Sequence, residues 1–88
     1  MKERLVQFRA WSLAKLYEFE KLLREKYPGR ADQITTVVEI LSNKLYYLNK
    51  YSLADYMYTL KILSKQFPEL AELIPSTETV QQLYEDEG

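Results

Sequence analysis

Apolar residues recur every three or four positions through the middle of the chain, between Asp32 and Lys50. This spacing places them on one face of an α-helix, while the intervening residues fall on a polar face. The apolar positions are Ile34, Val37, Val38, Leu41, Leu45 and Leu48. The pattern therefore predicts an amphipathic helix over residues 32–50, at the centre of a helical bundle.

The same periodicity continues on both sides of this segment. Before it, residues 3–27 carry two adjacent apolar stripes, a wide surface that is typical of a helix with several neighbours. After it, residues 53–67, 69–74 and 77–86 show the pattern of one longer and two short helices. The connections are short, which favours antiparallel packing of consecutive helices. We predict an all-α fold in one domain over residues 1–88: a small antiparallel helical bundle of three main helices plus a short C-terminal helix.

One apolar stripe on each main helix predicts the core. The first and third stripes consist of Leu5, Phe8, Ser12, Leu16, Phe19 and Leu23, and of Leu53, Tyr56, Leu60, Leu63 and Phe67. Polar residues that cap helices stand at three of the predicted starts, because their side-chain oxygens can accept a hydrogen bond from a free backbone N–H. These predicted caps are Asp32 for the second helix, Ser52 for the third, and Ser76 or Thr77 for the last.

The composition excludes several kinds of chemistry. The chain has 88 residues with no cysteine and no histidine, so it lacks the usual zinc ligands and the commonest general base. Its two glycines are too few for a phosphate-binding loop. We therefore expect no enzymatic activity, no catalytic residues, no metal site and no cofactor.

The N-terminal residues are charged and amphipathic, unlike the apolar core of a secretory signal. The sequence also contains no run of 18 apolar residues that could span a membrane. We expect a cytoplasmic protein that has no membrane partner.

The chain has more large apolar side chains than three core stripes require, and eight of its residues are tyrosines. One interpretation places the tyrosines at the rim of a small core, with the ring inward and the hydroxyl in water. The other is a binding surface, because tyrosine and tryptophan are favoured in protein interfaces. The residues that we predict at such an interface are Trp11, Leu13, Ile40, Tyr47, Tyr51 and Tyr58.

An exposed apolar surface of this kind predicts association with another protein. The simplest partner is a second copy, because two-fold homodimers are the commonest closed assembly. We predict a homodimer with Trp11 or Tyr47 near its centre, and a non-enzymatic regulatory or protein-binding role. The size and helical character match small accessory proteins of phages, viruses and plasmids.

The distribution of charge suggests an alternative partner. Residues 1–30 carry eight Lys or Arg and four Glu, whereas residues 66–88 carry six acidic residues and no basic one. A nucleic-acid-associated accessory protein would bind phosphates through the basic first helix. The residues predicted for that contact are Arg4, Arg9, Lys15 and Lys26. The overall pI of about 5.5 makes this alternative the less favoured one.

Overall fold

The fold is known from a computed structural model that describes residues 3–87, with side chains up to residue 85. This part of the chain forms helices and no strand, which confirms the all-α class. The α-helices are α1 (Glu3–Lys26), α2 (Ala31–Tyr46), α3 (Leu53–Leu63) and α4 (Thr77–Glu87), and two 3₁₀ segments lie at Pro28–Arg30 and Pro68–Leu73.

The longest helix, α1, extends along the whole bundle. Its 24 residues span about 36 Å of a molecule that measures 44 × 19 × 16 Å. It packs against α2, the 68–73 segment and α4, as its wide apolar surface predicts. Helix α2 is antiparallel to it: Arg24 donates to Thr35 Oγ1 near the start of α2, and Arg9 donates to the carbonyl of Tyr46 at its end. Helix α3 packs on α2 and on the 68–73 segment.

Two helices end earlier than their periodicity predicts. Helix α2 ends at Tyr46, and α3 ends at Leu63, four residues before the predicted ends at positions 50 and 67. The apolar spacing continues because Leu48 and Phe67 are both buried, although they lie in the connections. Hydrophobic spacing reports burial, so it does not distinguish the last helical turn from a turn that packs against the same core.

Of the three predicted caps, Ser76 is confirmed, Asp32 is wrong, and Ser52 is confirmed in position only. Ser76 caps α4, since its hydroxyl accepts a hydrogen bond from the N–H of Thr79 at 3.1 Å. Asp32 instead lies in the first turn of α2, where a negative charge suits the positive end of the helix. Ser52 occupies the N-cap position of α3, as predicted, but its hydroxyl accepts from the N–H of Asn49, three residues before it, and makes no hydrogen bond to the first turn of α3.

The buried residues reproduce the predicted stripes with two changes. Phe19 and Leu63 are only half-buried and pack at the edge of the core. Leu70, Leu73 and Leu83 complete the core from the C-terminal third of the chain. The centre is fully enclosed, with Leu41 and Leu45 each at 0% exposure.

Two hydroxyl groups lie in this core without a hydrogen-bond partner: Ser12 Oγ and Tyr56 OH. The ring of Tyr56 packs edge-to-face on that of Phe8, with 6.4 Å between the ring centroids. Burial raises the pKa of Tyr56 to about 12, against a smaller opposite effect of the Ser12 hydroxyl. The two hydroxyls are therefore neighbours, but no hydrogen bond of good geometry joins them.

We expect Leu41→Ala to lower the free energy of unfolding by about 2–5 kcal/mol, because it removes buried methyl groups and leaves a cavity. The control is Ile40→Ala at the neighbouring position, which is 37% exposed. That change should cost less, because part of the Ile40 side chain is already in solvent and its removal leaves no enclosed cavity. Urea denaturation measures both, and equal losses would mean that the core is placed on the wrong face of α2.

We expect the stability of the protein to fall between pH 10 and 12. Tyr56 ionises near pH 10 in the unfolded chain but only near pH 12 in the folded protein, so alkali favours unfolding. The loss should reach about 2–3 kcal/mol and should be smaller in Tyr56→Phe, which is expected to be as stable as the original at neutral pH. Tyr58→Phe, at an exposed tyrosine, is the control. Identical alkaline profiles for all three proteins would contradict the assignment.

Candidate functional site

A groove of about 570 Å³ lies between the first half of α1 and α4. Its floor is apolar, because Phe8, Leu73 and Leu83 reach the surface of the core there. Its edges are polar apart from Trp11 on the α1 side and the Ile74–Pro75 connection. The lining residues are Arg4, Gln7, Phe8 and Trp11 from α1, residues 73–76, and Thr79, Gln82 and Leu83 from α4.

Trp11 separates this groove from a second, smaller depression of about 210 Å³ between α1 and the 68–73 segment. Its side chain is 48% exposed although it has apolar surface on both sides. The smaller depression is lined by Trp11, Lys15, Glu18, Phe19, Leu22, Glu72 and Leu73. We refer to the groove and the depression together as the Trp11 groove.

The spacing of residues along α1 explains why this face is continuous. Positions 4, 11, 15 and 22 are separated by seven, four and seven residues, which places them on one side of a helix. This face, which carries Arg4, Trp11, Lys15 and Leu22, lies along the Trp11 groove.

A cluster at the end of α1 holds the 68–73 segment against this helix. Lys26 Nζ lies 2.5 Å from Glu69 Oε2, and the hydroxyl of Tyr27 donates to the same oxygen at 3.1 Å. The hydrogen bond from Lys26 lowers the pKa of Glu69, and the same contact raises the pKa of Lys26. This ion pair positions the segment that supplies Leu73 to the floor of the groove.

Aromatic packing strengthens the same cluster. The rings of Tyr27 and Phe67 meet edge-to-face at 5.5 Å, and the guanidinium of Arg30 lies 4.2 Å from the centroid of Phe67. Arg30 also donates to the carbonyl of Gln66. A cation over an aromatic ring is attracted by its negative face, so Arg30 links the first 3₁₀ segment to the start of the second.

The four basic residues predicted for nucleic-acid contact do not form one cluster. Arg9 reaches α2 and donates to the carbonyl of Tyr46, and Lys26 is paired with Glu69. Lys15 Nζ lies 3.3 Å from Glu18 Oε2. Arg4 lies at the edge of the Trp11 groove.

The predicted interface residues are also spread over several places. Leu13 is half-buried and packs against the core, whereas Ile40 lines a shallow depression between α2 and the end of α3. The three tyrosines of the predicted interface lie elsewhere: Tyr47 and Tyr51 are at the α2–α3 connection, and Tyr58 is on the outer side of α3. Their exposed fractions are 79% for Tyr47, 85% for Tyr51 and 65% for Tyr58, so their rings do not cover the core.

Tyr17 on α1 and Tyr46 at the end of α2 are neighbouring exposed tyrosines that were not among the predicted interface residues. A hydrogen bond with Tyr46 raises the pKa of Tyr17. The α4 side of the Trp11 groove was not predicted either. Thr79 and Gln82 give no sequence signal for a groove, because their role depends on where α4 packs.

No helix within residues 3–87 combines the length and apolar character needed to cross a membrane. In the same range, Asp and Glu side chains do not gather into any group of three or more that could hold a metal ion.

Comparison of the chain with models of known protein families, with curated proteins and with solved structures finds no match in any of the three.

Proposed function

We propose that this chain is a non-enzymatic protein-binding protein that works by association of its helices, first of all with a second copy of itself. The observation that supports this most directly is Trp11. A half-exposed tryptophan between two apolar depressions is the arrangement that interfaces use, because burying its large ring releases much surface from water.

The quantity of exposed apolar surface supports the same proposal. Several large side chains are more than a third exposed, and Tyr47, Tyr51 and Tyr58 are mostly in solvent. Single exposed apolar residues are ordinary, but continuous apolar surface on a small protein is commonly a contact site. The Trp11 groove is the place where such surface is concave and continuous.

Nucleic-acid binding through α1 has weaker support. Lys26 already has a carboxylate partner, and Arg9 is directed to α2. The 68–73 segment and α4, which border the groove, contain only acidic charges. Phosphates that approached Lys15 would therefore also approach Glu18 and Glu72, which line the same depression.

We expect light scattering to give a mass near twice 10.5 kDa at micromolar concentration. Dilution should return the mass to that of one chain, because a homodimer with a micromolar dissociation constant separates at lower concentration. A mass of 10.5 kDa at every concentration, including the highest attainable one, would contradict self-association.

A further inference from the structure

We infer that the Trp11 groove is the face on which two copies of this chain join, with α1 of each copy against α4 and the 68–73 segment of the other. This inference rests on the proposed function and assigns its surface and geometry. The occupant of the groove is a second copy, and shape, charge and size each support this choice.

The shape of the face is self-complementary. Trp11 projects beside a groove of about 570 Å³, which lies within the size range of pockets that enclose aromatic ligands. A two-fold axis that runs along the groove exchanges its two edges, so the α1 edge of one copy, which carries the indole, faces the opposite edge of the other. Each copy supplies one ring and one groove, and both are covered in the same contact.

The two edges differ in net charge. The α1 edge carries Arg4 and Lys15 against one carboxylate, Glu18, whereas the other edge has Glu72 in the 68–73 segment. On α4, Glu78 and Glu85 fall four residues before and three residues after Gln82, which lines the groove, so they share its side of the helix.

This distribution selects the direction of the axis. A two-fold axis across the helices would place α1 on α1 and bring cations together. An axis along the groove places α1 on the acidic edge, which is favourable. Lys15 and Glu72 line the same depression and so lie at the same level along the groove. In this arrangement, Lys15 of one copy faces Glu72 of the other.

The contact that Lys15 makes within its own chain does not oppose this arrangement. Its partner Glu18 is one turn away on α1, and the two side chains are 43% and 68% exposed. Exposed ion pairs of this kind contribute little to stability, so Lys15 can also contact a second carboxylate.

The length of the face is compatible with a small, reversible dimer. Its lining residues on α1 run from Arg4 to Leu22, a distance of about 27 Å at 1.5 Å per residue. Specific interfaces bury about 800 Å² per partner, and weak ones bury less.

The first test is a charge swap between chains, followed by analytical ultracentrifugation at low ionic strength. Lys15→Glu and Glu72→Lys should each weaken dimerisation about tenfold or more, because each homodimer contains like charges on both sides of the axis. Lys15→Glu should have the larger effect, since Glu18 lies nearby. An equal mixture should form mixed dimers as readily as the original protein, because every pair is then opposite in charge. If the equal mixture dimerised no better than either variant alone, the inference would be overturned.

The second test uses Trp11, the single tryptophan, as a reporter. Its emission should shift to shorter wavelength as concentration rises through the dissociation constant, because the indole leaves water. Trp11→Ala should weaken the dimer about thirtyfold or more, as expected of a central aromatic residue. The matched control is Tyr47→Ala at an exposed residue outside the groove, which should leave the dimer unchanged.

The outcomes separate this inference from the proposed function. A dimer that is weakened by Tyr47→Ala, and unaffected by Trp11→Ala or by the charge changes, would support self-association. It would overturn the Trp11 groove as the dimer surface. A monomer at all concentrations would overturn both. Circular dichroism melting of each variant shows whether it is folded; unfolding is unexpected because Lys15 is partly exposed and Glu72 is exposed.

Discussion

The packing of α1 against the rest of the chain is the constraint on which this structure depends. Helix α1 packs against α2, the 68–73 segment and α4, and its residues Leu16 and Leu23 are each only 1% exposed. A chain of 88 residues has little surface to bury, so a helix that contacts nearly every other element contributes disproportionately to its stability. Loss of the α1 packing would leave the other helices without a shared core.

This arrangement also creates the Trp11 groove. Helix α1 is longer than the elements that pack against it on the C-terminal side, and the 68–73 segment and α4 approach it as two separate pieces. Trp11 lies where both depressions meet and is not covered by either piece. The ion pair of Lys26 with Glu69 fixes the first piece, so the groove has a defined floor in Leu73.

Part of the candidate surface could be predicted from the spacing of residues on α1. Helical geometry alone places Arg4, Trp11 and Lys15 on one face, and the structure has them along one groove. The same reasoning grouped Trp11 with Tyr47 only because both were surplus to the core stripes. Their separation in the structure shows that surplus apolar residues identify exposure, whereas their grouping into a surface depends on the arrangement of the helices.

The sequence by itself determined the helical class, the stripes that form the core and a cap of α4 at Ser76 or Thr77, because each depends on residues within a few positions of one another. Only the tertiary structure decided that Lys26 pairs with Glu69, 43 residues away, and that α4 supplies the second edge of the groove. Periodicity records which side of a helix is buried but carries no information on which distant segment buries it. That choice is made by the packing of all the helices together.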